Sequence, residues 1–392
     1  MSRTQSLSSL TAAAALAAAA ITGCSPASPA PGVGTAPSCT LVPAGFGPNG
    51  GVPFEVETVA TGLVVPWAIT FLPDGDWLVT ERPGRVRLFS KGQLVGDPVT
   101  TIDVTAADEG GLLGIAASPQ FAANRFFYVY GTFQDSERHN KVLRYKLAAD
   151  NRSATFDKII FDRIAGAAYH DGGRLRFGPD GMLYIGTGDA RDPDRAQSPA
   201  SPNGKLLRVT PDGLVPPDNP SPASPVFVSG IRNTQGFDWL DAKTMVIADH
   251  GPSGDLGRKG HDEINLATAG QNLGWPTIFG CQSRDGMVSP VLTWKEAVPP
   301  GGLVVYKGTK IPEWTNSILV ATLGSRHLHR VVLDGGKPSL HEVYLAGEPP
   351  SGRGRLREIV VSPEGELYVT TSNCDGRGAC PADKDQILRI TR

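Results

Sequence analysis

The chain has 392 residues, of which 40% are hydrophobic and 19% charged, and its formal net charge at pH 7 is −2. This near-neutral balance, without a basic stripe interleaved with aromatic residues, argues against nucleic acid as a partner. The sequence contains 47 glycines and 33 prolines. Because no long helical periodicity follows the N-terminal region, this composition indicates one large all-β domain.

The N-terminus carries a short apolar run, TAAAALAAAAITG, after a segment with a single arginine. The run is too short for a stable membrane helix and predicts a secretory signal peptide over residues 1–23. The residues before Cys24 resemble a bacterial lipobox, so we expect Cys24 to become the lipidated first residue; ordinary cleavage nearby is the alternative. The exported protein would then sit at the cell envelope, periplasmic or cell-surface, and touch the membrane only through this anchor.

Residues 24–38 are mainly Pro, Ala, Ser and Gly without charge, which predicts a flexible tether before a single domain over 39–392. Four further cysteines are an even number, and export to an oxidising compartment therefore predicts two disulfides. Cys374 and Cys380 bracket five residues and favour a local pair. Cys39 and Cys281 would then tie the N-terminus to the body, although the sequence does not prove this pairing.

A short turn followed by an apolar strand recurs along the chain. It occurs at 72–80, 178–185 and 362–370, with weaker copies at 208–213 and 240–248. Imperfect recurrence of such units is typical of a β-propeller, and about 355 mature residues in four-stranded antiparallel blades predict six blades. We expect the last strand, residues 386–390, to close the ring beside residues 54–56. The central mouth of such a ring is the default binding site.

The segment AYHDGGRLRFGPDGMLYIGTGD, residues 168–189, places a histidine and an aspartate at the two ends of a predicted hairpin. A four-residue loop sets His170 opposite Asp189, whereas a two-residue loop sets Asp189 opposite Gly172. In either register Asp189 could accept a hydrogen bond from one imidazole nitrogen and leave the other as a base. The hairpin alone favours a plainer interpretation, a surface histidine and a turn-stabilising aspartate.

A series of segments, most of them rich in glycine, spans nearly the whole mature chain. They are Gly62-Leu63 with Val65-Pro66-Trp67, VTERPGRV at 79–86, EGGLLGIA at 109–116, HDGGRLRFGPDG at 170–181, GTGDA at 186–190, GKLLRVTPDG at 204–213, GIRNTQG at 230–236, DHGPSGD at 249–255, DEINL at 262–266, NLGWP at 272–276 and GRLREIVVSPEG at 354–365. Together they resemble the soluble, pyrroloquinoline quinone (PQQ)-dependent sugar dehydrogenases, also called aldose or glucose/sorbosone dehydrogenases. The resemblance implies oxidation of an aldose to a lactone with PQQ and Ca²⁺, a small-molecule sugar substrate and an external electron acceptor.

The resemblance assigns catalytic roles. His170 matches the family histidine that takes the alcohol proton while hydride passes to the quinone, and Asp189 matches the aspartate that orients it. Arg232 and Asn233 match a pair near the quinone oxygens, where a cation stabilises the charge that develops during reduction. A surface ion pair is the alternative for Arg232, which the flanking glycines in SGIRNTQGF disfavour.

The resemblance also implies binding positions. Gly251 and Pro252 match residues whose backbone carbonyls hold Ca²⁺, an ion that prefers oxygen ligands. Arg355 and Arg357, two residues apart on one strand face, fit a pair that grips the cofactor carboxylates. Glu109 stands where relatives carry Gln or Glu near the sugar or cofactor, and a solvated loop carboxylate is the alternative.

Two departures from the family pattern stand out. A lysine that contacts the cofactor would fall near Gly324; either Arg326 substitutes for it or cofactor affinity is reduced. The loop after Pro252 is longer than usual, which leaves room for a substrate other than glucose. Three acidic residues in or beside this loop either hold a structural ion or face solvent: Asp255, Asp262 and Glu263.

Two other functions compete with the dehydrogenase. A non-enzymatic extracellular propeller would bind protein, but it need not keep His170, Asp189 and the three arginines together. A calcium-dependent hydrolase of the lactonase type would need carboxylates and asparagines converging on calcium, and the sequence does not yield such a set.

Overall fold

The computed structural model describes Met1 and residues 32–392. The predicted signal peptide and Cys24 lie outside the described residues. In the described part no helix is long and apolar enough to cross a membrane. The helices are short: one α-helix at Phe121–Asn124 and 3₁₀ turns at Pro193–Ala196, Asp255–Gly257 and Pro312–Trp314.

Six sheets follow one another along the chain as the blades of a β-propeller, as predicted, and they are antiparallel except for one added strand in blade 4. Blade 1 comprises Pro66–Phe71, Trp77–Glu81, Arg85–Ser90, Gln93–Leu94 and Thr100–Thr101. Blade 2 comprises Leu112–Ala117, Phe126–Gln134, Arg138–Leu147 and Ala154–Ala165. Blade 3 comprises Leu175–Phe177, Leu183–Gly186, Leu206–Val209 and Val226–Val228.

The second half of the chain forms the remaining blades. Blade 4 comprises Thr234–Trp239, Met245–Asp249, Glu263–Ala267, Leu292–Trp294 and Thr40–Val42. Blade 5 comprises Pro300–Val305, Ile318–Thr322, Leu328–Asp334 and Lys337–Tyr344. Blade 6 comprises Leu356–Val361, Leu367–Thr371, Asp385–Thr391 and Glu55–Leu63. Blades 1 and 4 thus hold five strands rather than the predicted four.

The N-terminal strand closes the ring. Glu55–Leu63 pairs antiparallel with Asp385–Thr391, and Val56 lies opposite Ile390. This confirms the predicted closure of the last strand beside residues 54–56. Joining the two ends of the chain in one blade removes the open sheet edges that a broken ring would expose.

Both disulfides have the pairing favoured by the sequence, Cys39–Cys281 and Cys374–Cys380. The first one fastens the N-terminal segment to blade 4, where Thr40–Val42 adds a parallel strand. Just before it, Gly34–Thr35 pairs with Gln282–Ser283. The last residues of the predicted tether, which was to end at residue 38, therefore already belong to the folded body.

The core lies between the blades, where apolar residues of successive strands face one another. Leu88, Val129 and Leu207 from blades 1, 2 and 3 are fully buried in one such cluster. The first strand of each blade is the innermost, so all six run in the same direction along the central channel. Loops that precede these strands consequently meet at one mouth, and the turns that follow them meet at the opposite mouth.

Candidate active site

His170 and Asp189 meet at the mouth formed by the loops before the innermost strands. His170 Nδ1 lies 2.6 Å from Asp189 Oδ1, and both side chains are buried. The hairpin between them has Phe177 opposite Leu183, a register between the two that we considered. A wider turn causes this offset, since the Gly178 N–H donates to the Met182 carbonyl at 2.9 Å.

Glycine makes this juxtaposition possible. A Cβ on Gly188 would lie 2.0 Å from the carbonyl oxygen of His170, so no other residue fits there. His170 itself has φ of +68°, a left-handed conformation that costs free energy in a non-glycine residue. The surrounding contacts must therefore hold this backbone in place.

The contacts of Asp189 fix the orientation of the imidazole. Its Oδ1 also accepts the N–H of Arg191 at 2.8 Å, and its Oδ2 accepts the indole N–H of Trp275 at 2.9 Å. An ionised carboxylate only accepts, so the Nδ1 of His170 carries the proton toward Asp189. No described group hydrogen-bonds to His170 Nε2, which is therefore available as a base.

His170 opens into a cavity of about 360 Å³. The cavity is lined by Glu109, Tyr169, His170, Arg191, Arg232, Asn233, His250, Ser253, Asp255 and Arg377. Three of the predicted site residues besides His170 therefore share its walls. Asp189 does not line the cavity and contacts the imidazole of His170 from behind.

Arg232 and Asn233 sit directly before the innermost strand of blade 4. Asp249 holds both, because its two oxygens accept their backbone N–H groups at 2.8 and 2.7 Å. The Arg232 guanidinium pairs with Asp255, which answers one open question: Asp255 is an ion-pair partner within the site. The Nδ2 of Asn233 is buried without a partner among the described residues and can donate to a ligand.

Arg355 and Arg357 are brought together by Asp375. Their Nη2 atoms lie 2.8 and 3.8 Å from Asp375 Oδ2, and both arginines are at least nine-tenths buried. The strand begins at Leu356 with a register shift, so the pair sits at its start rather than along a regular face. Arg357 also donates to Gln235 at 2.5 Å. Burial lowers its pKa to about 9, against the pull of Asp375, so the group stays charged near neutral pH.

Glu109 contacts His170 through the backbone. Its Oε2 accepts the His170 N–H at 2.9 Å, and its Oε1 pairs with Arg377 at 3.1 Å. Both oxygens of the Glu109 carboxylate therefore have protein partners, so this side chain is not simply solvated. Glu109 is a bridge between two other groups of the cavity.

Gly251 and Pro252 are buried beside the cavity, after the second strand of blade 4. Their carbonyl oxygens accept no hydrogen bond from any described residue. Asp262, expected either to hold an ion or to face solvent, instead accepts the N–H groups of Gly251 and Val298 at 2.9 and 2.6 Å. Glu263 accepts the N–H of Gly280, so both carboxylates fix the backbone.

Comparison with known proteins shows where this site belongs. The glucose/sorbosone dehydrogenase family matches residues 63–388. The chain belongs to this family. Aldose sugar dehydrogenase YliI of Escherichia coli is 30% identical over 350 residues, with 82% of this chain and 91% of that protein covered.

Solved structures of other glucose/sorbosone dehydrogenase-like proteins agree. PQQ-bound aldose sugar dehydrogenase from Streptomyces coelicolor superposes with a TM-score of 0.76 at 33% identity and covers 87% of this chain and 99% of its own. A glucose dehydrogenase-type oxidoreductase from Thermus thermophilus gives a TM-score of 0.79 at 39% identity, covering 86% of this chain and 100% of its own.

Arg326, which the resemblance offered as a cofactor ligand, lies in the loop after the second strand of blade 5, at the same mouth as His170. Arg326 is beside Glu348, with Nε 3.0 Å from Oε1, and is not among the residues that line the His170 cavity. Gly324 is exposed, and a Cβ there would face Pro299. The role of Arg326 toward a cofactor stays a prediction, as do those of Arg355 and Arg357, which do not line this cavity either.

Several residues of the site escaped the sequence reasoning. Trp275 lies in the NLGWP segment but was given no role, although it donates to Asp189. Asp375 and Arg377 lie inside the Cys374–Cys380 loop, where the bracketing cysteines were the only signal. Neither residue lies in a recognisable local motif. Their contacts with the site form only where the loops of blade 6 meet those of blades 1 and 2 at the mouth.

Proposed function

We propose that this protein is a PQQ-dependent sugar dehydrogenase that oxidises an aldose to its lactone. The observation that carries the proposal is the buried His170–Asp189 pair, which points an unpartnered imidazole nitrogen into a cavity lined by cations. Membership of the glucose/sorbosone dehydrogenase family and the PQQ-bound relative support the same chemistry.

His170 is the general base in this proposal. PQQ, when bound, supplies a quinone that accepts a hydride from the sugar carbon. The Nε2 of His170 accepts the proton of the hydroxyl on that carbon, and Asp189 stabilises the imidazolium that results. Arg232 lies in the same cavity wall and offers positive charge where the reduced group accumulates negative charge.

The charges around the mouth fit an anion with several carboxylates. Positive charge is in excess here, because three carboxylates, Asp108, Glu109 and Asp375, lie among four arginines, and Asp108 also pairs with a fifth, Arg138. The four arginines are Arg82, Arg355, Arg357 and Arg377. The buried, unpartnered Nδ2 of Asn233 adds a neutral donor. PQQ carries three carboxyl groups, and guanidinium recognises carboxylate in a bidentate manner. Arg355 and Arg357 would hold the cofactor by this means.

Calcium is part of the proposal through Gly251 and Pro252. Two buried carbonyl oxygens without hydrogen-bond donors among the described residues suit a hard cation, with its remaining ligands provided by the cofactor. Each ligand should then strengthen binding of the other. Titration calorimetry of PQQ with and without Ca²⁺ tests this, and equal affinity in both titrations would remove calcium from the site.

Reconstitution tests the function as a whole. The protein is mixed with PQQ and Ca²⁺, and a panel of aldoses is offered with an artificial electron acceptor. Sugar-dependent reduction of the acceptor that requires PQQ is the expected result. PQQ binding without activity on any sugar, or no PQQ binding at all, would favour the non-enzymatic binding propeller. Lactone hydrolysis independent of PQQ would favour the hydrolase, although the described residues hold no cluster of three metal-ligating side chains.

We also propose that the enzyme works outside the cytoplasm, attached by a lipid at Cys24. The two disulfides support export, because such bonds persist in oxidising compartments. Incorporation of a labelled fatty acid into the wild type but not into Cys24→Ala is the expected result. Labelling of neither protein would leave simple signal cleavage.

A further inference from the structure

The loop closed by the Cys374–Cys380 disulfide touches two parts of the site at once. Asp375 contacts the paired arginines Arg355 and Arg357, with Arg355 Nε and Nη2 at 3.0 and 2.8 Å. Arg377, two residues later, reaches Glu109 at 3.1 Å and lies over the ring of Tyr169, 5.1 Å from its centroid. One short loop therefore contacts both the proposed cofactor grip and the wall beside the base.

Arg377 is linked to His170 through Glu109. The guanidinium holds Oε1 of Glu109, and Oε2 of the same carboxylate accepts the backbone N–H of His170. A carboxylate bound by a cation on one oxygen is fixed in direction, so its other oxygen presents a defined acceptor. The chain of contacts runs from the disulfide loop to the backbone of the base.

His170 needs such a restraint. Its φ of +68° is a left-handed conformation that persists only when the surroundings over-determine it. The next residues are held from the other side, by Tyr130 Oη on the Asp171 carbonyl at 2.7 Å and by Asn233 Oδ1 on the Gly172 N–H at 2.9 Å. The contact from Glu109 is the one that acts on the His170 N–H itself.

We propose that Arg377 is a positioning residue for the base: through Glu109 it keeps His170 in its left-handed conformation, and the Cys374–Cys380 disulfide keeps Arg377 in reach. The inference rests on the proposed function for its catalytic meaning, but the restraint itself is independent of it. The loop contains Gly376 and Gly378 and has exposed residues, so the covalent bond supplies order that its sequence lacks.

The first test needs no cofactor. Amide hydrogen exchange of a peptide containing His170 is compared in the apo wild type, Arg377→Gln, Arg377→Lys and the double variant Cys374→Ser/Cys380→Ser. We expect exchange about tenfold faster in Arg377→Gln and in the double variant, because local opening raises exchange, and near-wild-type exchange in Arg377→Lys. Arg389→Gln is the matched control, since Arg389, on the third strand of blade 6, pairs with Glu57 on the fourth strand and with Glu366 in the turn before the second strand.

The second test uses the reconstituted enzyme. We expect Arg377→Gln to lower kcat about tenfold with PQQ affinity little changed, and Arg377→Lys to restore most of it, since a displaced base loses turnover rather than binding. Unchanged exchange at His170 in both Arg377→Gln and the double variant would overturn the proposal, whatever the activity. Faster exchange together with wild-type kcat would equally overturn the positioning role. An inactive wild type would instead count against the proposed function, and the exchange result would still decide the restraint.

Discussion

The two mouths of the central channel differ in chemistry more than in shape. The mouth opposite His170 opens into a larger cavity, about 520 Å³ against about 360 Å³. Its walls are rich in aromatic and aliphatic side chains, including Phe71, Phe177 and Trp239. Its charged residues are mostly satisfied, since Arg174 pairs with Glu358 and Asp238 accepts the Val305 N–H. The groups left over there are guanidinium donors of Arg174 and Arg176.

The His170 mouth, in contrast, leaves an imidazole nitrogen, an amide donor and two carbonyl oxygens free of partners among the described residues. These are His170 Nε2, Asn233 Nδ2 and the carbonyls of Gly251 and Pro252. Buried polar groups without partners cost stability, and they persist where a ligand completes them. Neither cavity volume nor incomplete hydrogen bonding alone separates the two mouths, since Arg174 and Arg176 also keep unpartnered donors. The kind of unpartnered group does differ, because the His170 mouth offers acceptors as well as a donor, and the following predictions test that distinction.

Removing the proposed base should give the largest effect. His170→Gln should lower turnover roughly 100- to 10,000-fold, the usual contribution of general base catalysis, while PQQ binding hardly changes. Single-turnover reduction of bound PQQ by sugar measures this step directly. Pro179→Ala, at an exposed turn of the opposite mouth, is the control and should keep wild-type turnover. If bound PQQ were reduced at the wild-type rate in His170→Gln, the His170 mouth would have no more catalytic role than the opposite mouth. The hairpin would then have a structural role only.

Removing one cofactor grip should weaken binding. Arg355→Ala should lower PQQ affinity by about 2–4 kcal/mol, or roughly 30- to 1,000-fold, because it also leaves Asp375 with one guanidinium fewer. Equilibrium titration of PQQ is the measurement, with Arg176→Ala at the opposite mouth as control. An unchanged Arg355→Ala curve would return the arginine pair to a purely structural role.

The free energy of unfolding should also depend on pH through a carboxylate at this mouth. Asp171, beside the base, is buried, and its Oδ2 has no partner among the described residues. Burial raises its pKa to about 6, despite hydrogen bonds from Asn140 and Ala167 that oppose the shift. A raised carboxyl pKa adds stability at low pH that is lost as pH rises through about 6. Because one pKa unit is about 1.4 kcal/mol, the wild type should lose up to about 3 kcal/mol more than Asp171→Asn between about pH 4 and pH 7.

Denaturant unfolding of both proteins across this pH range measures the difference. Taking the variant minus the wild type removes the contribution of the other carboxylates, which is common to both. If the free energies of unfolding of the two proteins changed in parallel with pH, the pKa of Asp171 would not be raised as the structure indicates. The same comparison in Pro179→Ala serves as the control at the opposite mouth.

The ring was predictable because its signals are local and repeated. Turn-strand units such as 72–80 and 362–370 give the second strands of blades 1 and 6, and the closing pair of strands follows from the ring itself. The copy at 208–213 follows a third strand instead, so not every turn signal has the same place in a blade. A fifth strand in blade 4 comes from the N-terminal segment, which pairs in parallel next to the Cys39–Cys281 bond between residues 242 positions apart.

The candidate site was predictable where two residues share one hairpin, as His170 and Asp189 do. The register was wrong by one residue, yet the pair meets because Gly188 permits close approach. Contacts between blades could not be predicted from local sequence patterns. Glu109, Arg377 and Trp275, for example, come from three separate loops that meet only in the closed ring. The pairing of Arg326 with Glu348 is a further example, since no sequence signal connects these two residues.

Asp189→Asn should give the smallest of these effects and sharpens the account of the base. The amide has one acceptor oxygen, whereas Asp189 serves the His170 and Arg191 donors with one oxygen and Trp275 with the other. We expect the amide oxygen to face the two donors, so that the tautomer is kept and only the negative charge is lost. Turnover should then fall roughly 10- to 100-fold, as when an orienting partner is changed, and less than in His170→Gln.

The remaining amide NH₂ would face the Trp275 N–H, donor against donor, and this conflict can be removed independently. Asp189→Asn/Trp275→Phe should therefore recover some of the stability that Asp189→Asn loses, while turnover stays near that of the single variant. Unfolding and single-turnover measurements on the two variants give both quantities. A loss in Asp189→Asn as large as that of His170→Gln, relieved by Trp275→Phe, would instead show that the amide turns its NH₂ toward His170. The proton would then be forced onto Nε2, and the imidazole could no longer act as the base.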